Sequence, residues 1–332
     1  MKLLKKILAF GAVACLALAL AGCGSSAASS SASASASSAK SESLSVASEP
    51  VQEVKPVEYT EPFYVLVVGN DTRLGTVDIV KATWADGNAR SDTMMLLRID
   101  PKTYKITIVS IPRDTQAVVD GNRTKINEEY RYHGIEGLLG QVKSLTGVEP
   151  KYYLDMTFVN FEDFINQIGG VDVYVTDHME LQDIVGGDQV VLEEGDQTLN
   201  GVEALVFARM RKIYAQNQDG VRQIHDRAIV ESLIKAVAAN PSIASASVDT
   251  LLANCKSNWP KADLANLVTK FCQNAGKIEI LSGTGPYTGD IDEEAGLWLA
   301  TRDEDTWAEI INVVNNGGSP TEIVDLPTSP LK

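Results

Sequence analysis

The stretch 63–69 reads Phe-Tyr-Val-Leu-Val-Val-Gly, an uninterrupted apolar run of strand length, which predicts a strand covered on both faces. Residues 93–99 and 104–111 repeat the signal, and the Asp100-Pro101-Lys102-Thr103 connection predicts a β-hairpin between them. In the second of these strands Ile106, Ile108 and Ser110 fall on one face and Thr107, Val109 and Ile111 on the other, so burial is expected on both. Elsewhere the period is helical. Residues 134–145 read as a helix, and 158–168 as another, with Phe158, Phe161, Ile165 and Ile168 on one stripe before Gly169-Gly170 ends it. A helix over 221–239 carries Val230, Leu233, Ile234 and Val237 on one face, and Leu264 to Phe271 and Trp307 to Val314 repeat that spacing. Strands and helices mixed without strict alternation, with no repeat in 60–318, predict one α/β domain: a three-layer α/β/α sandwich around a mixed central sheet. The closing stretch 320–332 has no period and is expected to fray.

The first fifty residues follow other rules. Lys2, Lys5 and Lys6 precede fifteen uncharged residues, 7–21. As a helix these would rise roughly 22 Å, short of the ~30 Å hydrocarbon core, so they read as a signal-peptide core within residues 1–22. Leu20-Ala21-Gly22-Cys23 resembles a bacterial lipobox, which would make Cys23 a lipidated mature N-terminus. The following 26 residues, 24–49, contain 13 Ser and 7 Ala and bury too little apolar area to fold. The segment 23–59 is therefore expected to tether a folded domain at a flexible span of about 28 Å for those 26 residues. Its address is expected to be extracytoplasmic and membrane-attached.

The formal charge of −15 argues against a nucleic-acid partner. Cys255 and Cys272 lie in a compartment that permits disulfides, with a short helix expected between them, and either a bridge or two thiols is compatible with the spacing. His133, His178 and His225 have no metal-ligand spacing, and no GxSxG or phosphate-binding glycine loop occurs.

Against this acidic background the arginines are concentrated. Arg90, Arg113, Arg209, Arg211, Arg222 and Arg227 all fall at expected strand ends or helix starts. If Arg209-Met210-Arg211 is extended, its two guanidiniums converge on one side, an arrangement suited to phosphate or carboxylate oxygens; a solvated, salt-bridged surface is the other reading. Asp71 and Asp92 sit at expected strand ends, where they can hold a hard cation such as Mg²⁺ together with substrate phosphates, or cap their own turns.

Taken in order, Gly69-Asn70-Asp71-Thr72-Arg73, Arg90-Ser91-Asp92-Thr93-Met94-Met95, Ser110-Ile111-Pro112-Arg113-Asp114, Lys125-Ile126-Asn127, Gly169-Gly170-Val171-Asp172-Val173, Leu199-Asn200-Gly201 and Ala208-Arg209-Met210-Arg211-Lys212 resemble the LytR-CpsA-Psr family over about residues 62–240. The resemblance implies an extracytoplasmic phosphotransferase with its catalytic domain in 60–318 and a tail at 319–332. Such an enzyme moves an anionic glycopolymer, of teichoic acid or capsular type, from a polyprenyl-pyrophosphate carrier to peptidoglycan. It implies Mg²⁺ or Mn²⁺ on Asp71 and Asp92, and a lipid-accepting cleft. It further implies that Arg90, Arg113, Arg209, Arg211, Asp219 and Arg222 meet the pyrophosphate, with Asp92, Arg90 and Arg113 closest to the chemistry; Asp92 would bind metal or orient the acceptor hydroxyl. A non-catalytic glycopolymer-binding lipoprotein and a polyprenyl-pyrophosphate pyrophosphatase use the same residues. The chain departs from the family where His225-Asp226-Arg227 replaces an Arg-Gln-Gln pattern, and 72–89 is longer than usual, as for a loop inserted at the site rim.

The lipobox reading predicts that the wild-type protein enters the detergent phase on phase partitioning and that Cys23→Ala moves it to the aqueous phase. Identical partitioning of the two as water-soluble protein would show that Cys23 carries no lipid.

Overall fold

A computed structural model describes residues 56–72 and 89–327. Cys23, the signal segment, the Ser/Ala tether and most of the long 72–89 connection lie outside the described residues. The elements run β1 (Phe63–Asn70), β2 (Ser91–Asp100), β3 (Lys105–Ser110), β4 (Gln116–Val119), β5 (Asn122–Lys125) and α1 (Ile126–Thr146). Then come β6 (Tyr152–Thr157), α2 (Phe158–Ile168), β7 (Val171–Val175), β8 (Met179–Gln182), β9 (Gln189–Leu192), β10 (Gly195–Leu199) and α3 (Gly201–Arg209). The chain ends with α4 (Gln218–Ala239), α5 (Pro241–Asn254), β11 (Lys256–Ser257), α6 (Lys261–Cys272), β12 (Glu279–Thr284), β13 (Gly289–Asp292), β14 (Leu297–Ala300) and α7 (Glu304–Asn315).

The central sheet has the order β11-β6-β1-β2-β3-β12 and is mixed, as expected: β1 is antiparallel to β2 and parallel to β6, while β3 is antiparallel to β2 and parallel to β12. Strand alternation sorts its side chains into two cores. Leu66, Val68, Met94, Leu96 and Val109 pack on Leu138, Val142, Trp307 and Val314 of α1 and α7. Val65, Met95, Leu97, Ile99 and Ile106 face Val230 and Ile234 of α4, Val248 of α5, and Leu264, Leu267 and Phe271 of α6. These are the three layers. A third core joins α2, α3 and α4 to the small β7–β10 and β8–β9 sheets.

Several expectations change. The helix read at 134–145 begins at Ile126 and is broken by Gly134, whose backbone (φ 65, ψ −155) is not helical. Arg209-Met210-Arg211 is not a strand: Arg209 ends α3 and Met210 turns the chain out of it. The segment after residue 318 does not fray at once. Ser319 and Glu322 cap a turn reciprocally, Pro320 is buried, and Pro327 lies against Gly220 at the start of α4. Cys255 and Cys272 are free thiols.

The Leu199-Asn200-Gly201 motif has a mechanical explanation. Asn200 and Glu203 form a capping box that starts α3. Gly201 lets α3 approach α2 so closely that a Cβ would stand 2.2 Å from the Glu162 carbonyl oxygen. Gly201→Ala must push two helices apart and is expected to destabilise by about 1–3 kcal/mol or more. Asn200→Ala removes a cap at about 1 kcal/mol. Urea denaturation of both variants checks the order; a Gly201→Ala protein as stable as wild type would contradict the close approach.

Candidate active site

The site forms where β1, β2 and the β3 exit meet the start of α4. In the β1–β2 ladder Gly69 pairs with Thr93 and Asn70 with Ser91, so Asp92 is the extra residue of a β-bulge. A bulge re-aims a side chain and removes its backbone from the ladder. Both consequences are met by arginines: Arg113 Nη1 donates to Asp92 Oδ1 at 2.7 Å, and Arg222 Nη2 donates to the Asp92 carbonyl at 2.7 Å.

Asp219, in the first turn of α4, draws the cations together. Its Oδ1 lies 3.1 Å from Arg113 Nε, 3.0 Å from Arg222 Nε and 3.8 Å from Arg211 Nε. Burial pushes the Asp219 carboxyl up, but Arg222 and Arg113 outweigh it and hold it well below the usual carboxylate range. Burial and then the neighbouring Arg113 press the Arg211 guanidinium below its ordinary value, and its Nε is buried without a hydrogen-bond acceptor among the described residues. Arg211 thus stands to gain from an incoming anion. Arg209 lies with its guanidinium over the Phe158 ring, 5.5 Å from the centroid.

The cluster stands between two cavities. One, of about 470 Å³, is apolar and runs along the length of β2 from Thr93 past Met95 and Leu97 to Ile99, roofed by α4, α5 and α6. Its lining includes Trp259, Leu267 and Phe271, all nearly fully buried. The other, of about 850 Å³, is more polar than the first and is lined by the charged Asp71, Arg90, Lys125, Glu128 and Lys212 among others. Asp92, Arg113, Arg209 and Arg211 line both.

The sequence-derived candidates therefore converge, with different duties. Asp71 Oδ1 accepts the Arg90 amide at 2.7 Å, closing the long 72–89 connection as a turn cap. Arg90 pairs with Glu128 at the rim of the polar cavity. Arg222, read as a pyrophosphate ligand, is largely buried with Asp219, Asp226, Thr93 and the Asp92 carbonyl as partners, and it borders the apolar cavity. Asp226, buried, is part of the cluster; its i,i+4 spacing from Arg222 was the available signal. Arg227 is buried away from it and donates to Ser110 Oγ. Among the described residues no group of three His, Cys, Asp or Glu gathers as a metal site.

His225 faces the third core. It stacks on Phe207 at 4.3 Å, and its ring nitrogens meet the Phe207 carbonyl and the Tyr214 hydroxyl. Burial pushes its pKa down to about 4, whereas the unfolded ring titrates near about 6.5. The unfolded chain takes up this proton first, so the contribution of neutral His225 is complete above about pH 6.5 and is lost as pH falls towards about 4. His225→Gln is expected to lose roughly 2–3 kcal/mol less stability than wild type between pH 7 and pH 4. Urea titrations across that range test this; parallel curves would mean the ring is not held neutral.

The LytR_cpsA_psr family model matches residues 22–312. A polyisoprenyl-teichoic acid–peptidoglycan teichoic acid transferase, TagU, of Bacillus mycoides is 29% identical over 254 residues, 74% of this chain and 75% of the relative. TagU of Bacillus cereus strain AH820 is 30% identical over 250 residues, 73% and 74% of the two chains. The crystal structure of B. subtilis TagV superposes with a TM-score of 0.64 at 26% identity, covering 82% of this chain and all of that one.

Proposed function

This chain belongs to the LytR_cpsA_psr family, and from that premise and the site we propose that it transfers an anionic glycopolymer from a polyprenyl-pyrophosphate carrier to peptidoglycan. The observation that carries the reading is the meeting of a long apolar cavity and a more polar, charge-lined one at a single arginine–carboxylate cluster. That shape matches a ligand with an apolar tail, a diphosphate and a polar head.

In this reading the prenyl chain occupies the apolar cavity, where each buried methylene contributes about 0.8 kcal/mol. Arg113, Arg209 and Arg211 receive the diphosphate in bidentate fashion, and Arg90 stands at the rim. The acceptor hydroxyl of peptidoglycan enters through the polar cavity and attacks the glycan-linked phosphorus. The new O–P bond forms as the P–O–P bridge breaks, and polyprenyl phosphate leaves. Asp92, aimed by the bulge, orients that hydroxyl and takes up its proton as the O–P bond forms, and the proton passes on to the departing polyprenyl phosphate or to solvent. Phosphoryl transfer asks for such positioning and charge neutralisation more than for covalent participation.

The same residues fit a divalent cation. Asp92, Asp219 and Asp226 offset Arg113, Arg211 and Arg222 one for one, so an arriving diphosphate meets little net positive charge there. Asp71 and Asp92 both line the polar cavity, and Mg²⁺ is typically held by one or two carboxylates with substrate phosphates completing the shell. Bound there, Mg²⁺ or Mn²⁺ would neutralise charge on the leaving phosphate. We place the protein outside the membrane, held through Cys23 and facing the wall; teichoic acid is the polymer that its relatives' names support, and capsular polysaccharide is the alternative of the same class.

Incubating the full chain with a polyprenyl-pyrophosphate-linked sugar polymer, Mg²⁺ and peptidoglycan should yield covalently attached polymer. Excess chelator should abolish transfer, and Asp92→Asn should raise the Mg²⁺ requirement. Arg209→Ala and Arg211→Ala should each cost about 1.5–3 kcal/mol of transition-state stabilisation, ten- to over a hundredfold, with the fold intact. Hydrolysis of the diphosphate without attachment would identify a pyrophosphatase, and retention of donor without turnover a binding protein.

A further inference from the structure

We propose that Gln223 is a positioning residue for this transfer: it turns the Asp219 carboxylate so that Arg113 and Arg211 keep donors for the diphosphate. The proposal rests on the transferase reading and deepens it at the same site.

Three guanidiniums crowd one oxygen. Asp219 Oδ1 accepts from Arg222 Nε at 3.0 Å, while Arg113 Nε and Arg211 Nε stand 3.1 and 3.8 Å away. These last two nitrogens are buried and have no hydrogen-bond acceptor among the described residues. A small rotation of the carboxylate would give either of them a charge-assisted bond, stronger than a neutral one. That donor would then be lost to a ligand. Arg113 and Arg211 line both cavities, whereas Asp219 and Gln223 line neither, so the acid and the amide act from behind the arginines.

The opposite oxygen decides the rotation. Asp219 Oδ2 accepts from Gln223 Nε2 at 3.2 Å, one turn further along α4. Gln223 is itself buried, and its Oε1 accepts from Thr284 Oγ1 at 2.9 Å. The amide cannot be reversed, because its oxygen would then face a carboxylate. Thr284 is fully buried at the end of β12, where it pairs with Ser110 of β3. Arg113 leaves that same strand three residues after Ser110. One rung of the sheet therefore supports both sides of the ion pair: Arg113 through the β3 exit, and Asp219 through Thr284 and Gln223. The backbone of this turn is held separately. A Cβ on Gly220 would stand 2.9 Å from Pro327 and 3.7 Å from Tyr287, so the segments that follow α7 and β12 pack on the start of α4. What that packing leaves open is the direction of the Asp219 side chain, and Gln223 closes it. A misplacement of about 1 Å in such groups can cost a hundredfold in rate.

Gln223→Leu removes both amide contacts, and Thr284 Oγ1 keeps the Gly285 carbonyl, 3.1 Å away, as an acceptor. Thr284→Val removes only the hydroxyl that orients the amide. Both are made in the full chain, singly and together, and Gln223→Leu is also made in an Asp219→Ala background. The measurements are kcat/KM for transfer, calorimetric binding of inorganic pyrophosphate, and thermal melting as a check of the fold. Gln223→Leu should lower kcat/KM ten- to a hundredfold and weaken pyrophosphate binding at least threefold. Thr284→Val should move both quantities the same way by less, and it carries the test if Gln223→Leu does not fold. Because Thr284 acts through Gln223, the double variant should match Gln223→Leu within twofold. With Asp219 already absent, Gln223→Leu should change pyrophosphate binding less than twofold; a merely structural role would cost the same in both backgrounds. A kcat/KM within threefold of wild type in Gln223→Leu, additive losses in the double variant, or an equal loss of pyrophosphate binding with and without Asp219 would each overturn the proposal. Absence of transfer by the wild type would instead be a failure of the transferase reading, and the pyrophosphate measurements would still decide whether Gln223 acts on the arginines.

Discussion

The site depends on one buried ionic constraint, the contact of Arg222 with Asp219 and Asp226 at the start of α4. Neither partner would be tolerated alone. Burial opposes the charge on all three groups, and Asp226, with its carboxyl pushed up to about 6, is the least comfortable of them. What makes the arrangement stable is closure: the guanidinium fork is used almost completely, and Asp219 is shared with Arg113. Such a network is costly to half-build, because losing one member leaves another as an uncompensated charge. It therefore fixes the relation between α4, the β2 bulge and the loop after β3 to a degree that apolar packing at that place would not.

That rigidity has a use at this junction. A diphosphate is a poor guest for an apolar cavity, and a prenyl chain is a poor guest for a polar one. An amphiphile is held correctly only if the boundary between the two environments falls at its head group. Here the boundary is set by β2, which supplies Met95, Leu97 and Ile99 to the apolar side and Asp92 to the polar side within one strand. The register of a single strand thus places the lipid and the chemistry relative to each other.

Much of the frame was legible in the sequence because its signals are periodic and local. The β1 run, the β2–β3 hairpin and the 158–168 helix stand close to where their apolar spacing puts them, since each buries the faces that its pattern defines. The β8, β9 and β13 strands are four residues each; β8 alternates apolar and polar residues over only that span, and β13 carries a single apolar residue, so neither gives a pattern long enough to stand out. The helix α5 has its apolar residues among small and polar ones and gave no stripe to follow. Arg209-Met210-Arg211 misled for a different reason. Two-residue spacing makes side chains converge in a strand, but here they converge because α3 ends at Arg209 and the chain bends at a buried Met210.

For the site, the sequence shows which residues carry charge but not which of those charges are already used. Asp71, Asp92, Arg113 and Arg222 look equivalent as motif members, yet one caps a turn, one sits on a bulge, one bridges two carboxylates and one is bound to the bulged backbone at the wall of the apolar cavity. The difference arises from contacts between residues 130 positions apart, such as Arg222 and the Asp92 carbonyl. The His225-Asp226 departure shows the same limit. Read along the chain it is one change in one motif. In space His225 turns into an apolar core and Asp226 into the ionic cluster, on different faces of one helix, so the two substitutions answer to unrelated constraints. A histidine at 225 is compatible with neutrality because Phe207 and Tyr214 satisfy its ring. A carboxylate at 226 is compatible with burial only because Arg222 and Thr93 face it. Position 226 is thereby tied to the reaction centre, and position 225 to the stability of the core behind it.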